Sequence, residues 1–247
     1  MNKIVSITLF SFLILFLILI GFFSTQKAEG EVLRSIDLQG CDLLPESEYL
    51  VFANISADTD LRNYSLSSLR EKFLKHPYVQ NASVVMDADK KVKIEISEKQ
   101  FEAVGVLKEK LYLITAQKEF VPIIPNTKML DLPVLTNLSE LGTEKEIEQS
   151  NEMQNAFTII RSAKNLGGNL SQLISEINLR KGGDILLTLT RAKSVILLGK
   201  QNLAEKIFTL DALLKQIGNK ISLTNANYID LRYANNIFVG ANESAGI

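Results

Sequence analysis

The chain has 247 residues, of which 46% are hydrophobic and 22% charged, and its formal net charge is -1. This balance argues against a nucleic-acid-binding surface, which needs an excess of basic residues. The single cysteine, Cys41, cannot form an internal disulfide, so a partly buried free thiol is the expected state. An exported chain without disulfides would suit a bacterial envelope.

The first predicted element is an apolar segment at residues 4–23, which contains neither charge nor proline. About twenty helical residues span roughly 30 Å, the thickness of the hydrocarbon core of a bilayer. We predict a single N-terminal transmembrane helix at residues 4–23, a cytoplasmic tail at residues 1–3 and export of the remainder. The alternative is a cleaved secretory signal, whose apolar core is shorter, about 7–15 residues, and ends at a small-residue cleavage site that this chain matches poorly.

Residues 31–99 are predicted to form a small α+β domain. The predicted elements, in chain order, are strand 31–39, helix 49–55, helix 65–75, strand 79–86 and strand 91–97. Ser65 is a good N-cap for the second helix, and Pro77 prevents that helix from continuing. Apolar and polar residues alternate strictly in strand 91–97, which indicates a sheet with one solvent-exposed face. Three strands and two helices fit an arrangement with the helices on one face of the sheet.

Residues 100–240 are predicted to form a second domain, a mixed β-sheet with flanking helices, followed by a frayed tail at residues 241–247. The predicted elements, in chain order, are strands 101–107, 111–121 and 134–135, helix 144–166, strands 176–180, 185–190 and 194–198, helix 203–217, and a hairpin of strands 228–233 and 237–239. Gly167 and Gly168 are suited to end the first helix, and Asn235-Asn236 suits the hairpin turn.

No pattern in the sequence indicates a catalytic or metal site. With one histidine, His76, a Ser-His-Asp triad or a histidine-based zinc site is nearly excluded. The position of His76 next to Pro77 favours a role in capping the helix end. Asp87 and Asp89 lie in a predicted turn, where solvated carboxylates are the simpler interpretation than an acid/base pair. We therefore expect no catalytic residue, no metal and no cofactor.

The candidate binding site is the last predicted strand, Ile237-Phe238-Val239-Gly240, which carries no charge and no proline. Monomers normally protect an edge strand with such residues, because its backbone N–H and C=O groups are unpaired. An unprotected edge is what β-strand addition by a partner requires. The residues alone leave a second interpretation open, in which Phe238 and Val239 only pack the core and the tail covers the edge.

Two charged residues precede this strand. Asp230 and Arg232 alternate with apolar residues, so they share a face of the predicted strand. Either a local ion pair of small energetic worth or a contact to a partner fits this pattern.

A series of motifs makes the chain resemble the bacterial cell-division family FtsQ/DivIB over nearly its whole length. The motifs are His76-Pro77-Tyr78-Val79 with Ala82-Ser83-Val84, Lys93-Ile94-Glu95-Ile96-Ser97-Glu98-Lys99 with Phe101 and Ala103, Leu132-Pro133-Val134-Leu135, Ile196 to Gly199 followed by Glu205-Lys206-Ile207, and Tyr228-Ile229-Asp230-Leu231-Arg232-Tyr233. Their order and spacing carry the resemblance. The chain departs from the family at Lys99 and Phe101, where the usual residues are Arg and Pro, and at Ile114-Thr115-Ala116-Gln117-Lys118, where family members carry an Asp and a Gly in a turn.

The resemblance implies a non-enzymatic scaffold of the divisome. Residues 31–99 would be a POTRA-like domain and residues 100–240 an FtsQ-type β domain. The protein would be a single-pass type II protein of the inner membrane, concentrated at the septum, with a cytoplasmic N-terminus and a periplasmic bulk. It would bind FtsB, itself paired with FtsL, and link early division proteins to septal peptidoglycan synthesis. The residues implied to contact FtsB are Tyr233, Ile237, Phe238, Val239 and Gly240.

Two other functions stay open at this point. A POTRA-bearing chaperone for outer-membrane protein export would predict repeated POTRA units or the amphipathic strands of a barrel, and neither pattern occurs in the sequence. An anchored envelope hydrolase would predict activity of the purified external part on peptidoglycan or peptide substrates.

Overall fold

The computed structural model describes residues 16, 36–56, 59, 64–88, 91–190, 194–217, 226–233 and 236–241. The predicted transmembrane segment, residues 4–23, lies outside the described residues apart from Phe16. Among the residues that are described, no helix has the length and apolar character needed to cross a membrane. The chain divides into two compact units, Met1–Glu98 and Lys99–Ile247, named unit 1 and unit 2.

Unit 1 combines a small sheet with two helices. Its described elements are β1 (Ile36–Gln39), α1 (Glu46–Phe52), α2 (Leu66–Leu74), β2 (Val79–Met86) and β3 (Val92–Glu98). The described strands are ordered β1-β3-β2, with β1 parallel and β2 antiparallel to the central β3. The predicted order strand–helix–helix–strand–strand is confirmed. The helix predicted at residues 49–55 is displaced, because α1 already begins after Pro45 and Asn54 leaves the helical region with φ of 54°.

The sequence patterns of unit 1 produce its core. Among the predicted inward residues, Val92, Ile94 and Ile96 of β3 and Leu69 and Phe73 of α2 are buried. Leu66, also predicted to face inward from α2, is only partly buried. The intervening Lys93 and Glu95 of β3 are exposed, as expected for a sheet with one wet face. The Ser65 hydroxyl accepts a hydrogen bond from the Ser68 N–H at 3.1 Å, so Ser65 is the N-cap of α2 as predicted.

His76 lies in an aromatic cluster between α1 and the turn into β2. Its ring centroid is 4.5 Å from that of Tyr49 and 4.6 Å from that of Phe52, and the residue is only 3% exposed. Its Nδ1 accepts a hydrogen bond from the Tyr78 N–H at 3.1 Å, so the side chain stabilises the turn into β2 instead of capping α2. Burial lowers the pKa of His76 to about 4.

Glu98, the last residue of β3, connects this strand to the segment before α1. Its carboxylate accepts hydrogen bonds from the N–H groups of Asp42 and Leu43 at 3.2 and 3.0 Å and from the Tyr49 hydroxyl. Cys41 is a partly buried free thiol, as expected. Burial, with a contribution from Glu98 and other nearby carboxylates, raises the pKa of the Cys41 thiol to about 11, so it stays protonated at neutral pH.

Unit 2 contains a large mixed sheet. Its described strands are β4 (Phe101–Leu107), β5 (Lys110–Thr115), β6 (Phe120–Pro122), β7 (Val134–Thr136), β8 (Ile174–Asn178), β9 (Ile185–Leu189), β10 (Val195–Gly199), β11 (Ala226–Asp230) and β12 (Phe238–Ala241). Its described helices are α3 (Glu144–Gln149), α4 (Asn151–Asn165), α5 (Leu170–Leu173) and α6 (Leu203–Ile217), with a 3₁₀ turn at Leu138–Glu140. These nine strands are ordered β12-β11-β10-β9-β8-β7-β4-β5-β6. The protein is therefore of the predicted α+β class.

One hydrophobic core joins the sheet of unit 2 to its helices. Alternate residues of β9 are buried, and their neighbours are only partly buried. The core includes Leu187, Ile196 and Ile229 from the strands, and Phe157, Ile160, Ile207 and Leu210 from the helices. The period-two burial of the strands and the three-to-four residue spacing of the helices explain why these segments meet.

The single strand predicted at residues 111–121 is wrong. The segment forms β5 and β6, a hairpin in which the Thr115 N–H donates to the Glu119 carbonyl at 3.0 Å. Lys118, in the connecting turn, has a φ of 72°, a left-handed conformation that a strand does not contain. Because the residues on both sides of this turn are apolar, the periodicity did not indicate it, whereas the family resemblance implied a turn at residues 114–118.

The single helix predicted at residues 144–166 is also wrong, because it is divided at Ser150. This residue has extended backbone angles of -69° and 152°, and its hydroxyl accepts from the Met153 N–H at 3.1 Å. A serine can satisfy the free N–H groups of a new helix start, so it separates α3 from α4. The predicted end of the helix is confirmed, since Gly167 takes the left-handed conformation with φ of 62°.

Unit 1 should lose stability as the pH falls from about 6.5 toward 4. The pKa of His76 is about 4 in the folded protein against an ordinary value of 6.5, so the unfolded chain takes up the proton first. The stabilisation from neutral His76 is complete above the ordinary pKa and is lost through that window. Thermal unfolding followed by circular dichroism should show a weaker pH dependence in His76→Asn. An unchanged pH dependence in that variant would contradict the assignment.

Ser150→Ala should lower the free energy of unfolding by about 1 kcal/mol, because the Met153 N–H loses its acceptor. Ser150→Asp keeps an acceptor for the Met153 N–H but loses the hydrogen bond that the Ser150 hydroxyl donates to the Ile147 carbonyl at 2.7 Å, so its loss should be smaller than that of Ser150→Ala but not zero. Urea unfolding measures both. Thr158→Ala is the matched control, since the Thr158 hydroxyl bonds only within α4, to the Gln154 carbonyl at 2.9 Å. Equal losses in Ser150→Ala and Thr158→Ala would show that Ser150 has no special role.

Candidate functional site

β12 lies at one end of the strand order and, among the described residues, pairs only with β11. The antiparallel register pairs Asp230 with Phe238, Ile229 with Val239 and Tyr228 with Gly240. Residues directly opposite each other place their side chains on the same face of a sheet. Phe238 and Gly240 therefore share one face, and Val239 is on the other, beside the buried Ile229.

The predicted contact residues expose apolar surface together. The exposed fractions are 57% for Tyr233, 38% for Ile237, 52% for Phe238 and 49% for Val239. The rings of Tyr233 and Phe238 meet edge to face, with centroids 5.5 Å apart. Phe238 and Val239 are thus half exposed, and residues 242–247, which the second interpretation would place over the edge, lie outside the described residues.

Gly240, the fifth predicted contact residue, lies under the ring of Tyr228. A Cβ atom at Gly240 would come within 2.3 Å of the Tyr228 Cε1 atom. An aromatic side chain over a cross-strand glycine is one way in which an edge register is fixed. Tyr228 was not among the predicted site residues, because the hairpin predicted with its turn at Asn235-Asn236 pairs Tyr233 with Phe238. The observed strands are Ala226–Asp230 and Phe238–Ala241, so the predicted bounds 228–233 and 237–239 are displaced and Tyr228 comes to lie opposite Gly240.

Arg232 fixes the start of the segment that leads from β11 to β12. Its Nε and Nη2 donate to the two carboxylate oxygens of Asp230 at 2.9 and 2.6 Å, and its Nη1 donates to Asp184 at 3.0 Å. The hydrogen bonds from Arg232 lower the pKa of Asp230, and the two carboxylates raise the pKa of Arg232. Of the two interpretations of this pair, the local ion pair is observed. The contribution of Asp184 was not predicted, because it comes from a distant turn.

The start of α6 meets the same region. Lys206 donates from Nζ to the Leu198 carbonyl at 2.7 Å, and burial lowers its pKa. Gly199 has a φ of 74°, and a Cβ atom there would lie 3.3 Å from the Cγ of Arg232. The Ile196 to Gly199 motif and the Glu205-Lys206-Ile207 motif are therefore joined to Arg232 by the fold.

A groove of about 380 Å³ lies beside the start of β12. Glu205, Lys206 and Thr209 of α6 line one side, and Tyr233 and Ile237 line the other. No sequence pattern indicated this groove, because its two sides are far apart in the chain. It combines charged and apolar surface next to the exposed strand.

The opposite end of the same sheet is constructed differently. β6 has three residues, Phe120–Pro122, and the last of these lacks a backbone N–H. A short strand with a proline is a standard protection of an edge. β12 contains neither proline nor charge between Phe238 and Ala241. The two ends of one sheet therefore differ in their protection.

The described residues do not form a site for metal chemistry. In the part of the chain that the structure describes, no group of three or more His, Cys, Asp or Glu side chains has the geometry to hold a metal ion. Near β12, the Asp230 and Asp184 carboxylates are engaged in ion pairs with Arg232.

The fold and the strand at its end define an α+β protein of two units whose larger sheet ends in an exposed hairpin strand. Residues 105–232 match the family described as cell division protein FtsQ/DivIB, C-terminal. The cell division protein FtsQ of Geotalea daltonii is 24% identical over 208 residues, covering 84% of this chain and 74% of the relative. FtsQ of Geobacter sp. strain M21 is 24% identical over 208 residues, which cover 84% of this chain and 75% of the relative. FtsQ of Myxococcus fulvus is 21% identical over 201 residues, which cover 81% of this chain and 70% of the relative.

The chain belongs to the FtsQ/DivIB family of cell division proteins. The family resemblance stated from the motifs is therefore confirmed. The matched region ends at Arg232, directly before the loop that leads into β12.

Asp230→Asn should destabilise the final hairpin more than Asp184→Asn does. The Asp230 side chain is 7% exposed and accepts four hydrogen bonds from Arg232, one of them from its backbone N–H, whereas the Asp184 side chain is 39% exposed and accepts one. Amide hydrogen exchange in β11 and β12 should accelerate roughly tenfold for Asp230→Asn and at most about twofold for Asp184→Asn. Equal acceleration would show that the two carboxylates hold Arg232 equally.

Proposed function

We propose that this chain is a non-enzymatic scaffold for assembly of the divisome. It binds FtsB, paired with FtsL, by adding an FtsB strand to the edge of β12, and it links early division proteins to septal peptidoglycan synthesis. Membership of a cell-division family supports the role in division. The more specific proposal, that FtsB binds by strand addition, rests on the exposed edge of β12.

The observation that carries the proposal is the unprotected state of β12. The strand ends the described order, carries no charge and no proline, and presents Phe238 and Val239 half exposed. Exposed apolar side chains on both faces of an edge strand suit a partner strand whose own side chains alternate between the two faces. Tyr233 and Ile237 extend this apolar surface, while Gly240 and Tyr228 fix its register.

Backbone pairing alone would give modest affinity. Each hydrogen bond contributes about 0.5–1.5 kcal/mol net, and β12 has four residues to offer. Apolar anchors such as Phe238 and Tyr233 would supply most of the remaining binding energy. The groove beside Tyr233 and Ile237 offers additional contact surface for the part of the partner that flanks the added strand.

A membrane anchor completes the proposal. The apolar segment at residues 4–23 would hold the protein in the inner membrane with the bulk in the periplasm, and residues 31–99 would act as a POTRA-like recruitment module. Confinement to one membrane raises the effective concentration of both partners, so a modest interface suffices.

Phe238→Asp, or Val239→Pro, should abolish FtsB binding while the protein stays folded. The first change places a charge in the apolar surface, and the second removes one backbone N–H from β12. Binding is measured by pull-down of the full-length chain with FtsB, with circular dichroism to check the fold. A loss of at least about 100-fold in affinity is expected.

Leu111→Asp is the matched control, because Leu111 is 55% exposed in β5, near the protected end of the same sheet. It should bind FtsB like the wild type. Folded Phe238→Asp and Val239→Pro variants with unchanged binding would overturn the assignment of the edge. Loss of binding in Leu111→Asp as well would show that the effect of the added charge is not local.

A further inference from the structure

The sheet of unit 1 also has a long edge strand. β2 is eight residues long and, among the described residues, pairs only with β3. Its sequence, Val79 to Met86, contains neither charge nor proline, and Val85 is 52% exposed. The register of β2 with β3 shifts between Val79 and Asn81, which is a bulge at the start of the strand. The six residues from Asn81 to Met86 pair regularly, and they are still a longer uncharged edge than the four residues of β12.

A side chain from α2 contacts this strand. The Nε of Arg70 donates to the Ala82 carbonyl at 2.8 Å, and its Nη2 lies 3.4 Å from the Asn81 side-chain oxygen. Successive residues of an antiparallel strand alternately direct their backbone groups toward and away from the neighbouring strand. A side-chain donor on one of these carbonyls occupies a position that an added strand would use.

We propose that Arg70 closes the β2 edge and thereby keeps unit 1 from pairing with a second copy of this chain. The guanidinium satisfies the Ala82 carbonyl and places a positive charge beside an uncharged strand. Without Arg70, the edge is left with an exposed acceptor and no charge of its own. This inference concerns unit 1 and does not depend on the proposed function of β12.

The second copy is the expected occupant because β2 is compatible with itself. Two β2 strands in antiparallel pairing bring no like charges together, since neither contains a charged residue. With Arg70 present, two guanidinium groups would approach each other beside the joined strands, and each would have to leave its Ala82 carbonyl. Both effects oppose pairing, and both disappear in Arg70→Ala.

Arg70→Ala tests this directly in the full-length chain purified in detergent. Light scattering that separates protein mass from detergent mass should show the mass of the variant doubling at concentrations where the wild type is unchanged. Arg70→Ala combined with Val85→Lys should return to the wild-type mass, because a lysine on the exposed face restores charge to the edge. Arg70→Ala combined with Val239→Pro should still double, since β12 is not involved.

Lys72→Ala is the matched control within α2. Lys72 is also a cation of this helix, but its Nζ donates to the Ala53 carbonyl at 2.7 Å and not to β2. It should keep the wild-type mass. A folded Arg70→Ala protein with wild-type mass would overturn the proposal, and so would association of Lys72→Ala to the same extent. Association of Arg70→Ala that Val239→Pro abolishes would assign the contact to β12 and refute a role for β2.

Discussion

A β-sheet that does not close on itself leaves backbone donors and acceptors without partners at both ends, and this constraint organises both units. Each end must be shielded by the chain or be satisfied from outside. In unit 2, one end is three residues long and includes Pro122, which cannot donate. The other end is β12, which has neither form of protection in its described residues. The asymmetry is therefore encoded in which residues stand at the two ends.

A strand that keeps its apolar side chains at the surface cannot rely on them for its own stability. The hairpin of β11 and β12 is instead stabilised by polar contacts at the two ends of β11. Arg232 joins Asp230 to Asp184, and the Ser194 hydroxyl donates to the Ala226 carbonyl at 2.6 Å. Within one hairpin, some residues stabilise the fold and others expose apolar surface.

The sequence patterns predicted what is local. Alternation predicted β3, the Ser65 cap predicted α2, and apolar spacing predicted α6, because each depends on residues within a few positions. The errors arose where a single polar residue overrode a pattern, as Ser150 does by starting a new helix.

The sequence patterns did not predict which strands pair when the strands are distant in the chain. The parallel pairing of β4 with β7 and of β10 with β11 joins segments separated by helices or long loops. The pairing of the last two strands could be predicted, since they are adjacent in the chain, but their register could not, because β11 already ends at Asp230. The groove and the bond from Arg232 to Asp184 could not, because they depend on which distant turn reaches the hairpin.

The ways of protecting an edge differ in how permanent they are. Proline at the end of β6 removes a donor covalently, so no change in conditions can restore it. Arg70 protects β2 through a hydrogen bond from a charged donor, an interaction worth about 1.5–3 kcal/mol at most, and less where the donor is exposed. A bond of that size can be displaced by competing interactions. An eight-residue strand protected in this way is closed by default but retains the backbone groups for pairing, whereas β6 has lost one of them. These three described edge strands therefore differ in their protection. The edge of β6 is permanently closed, that of β2 is reversibly closed, and that of β12 is exposed.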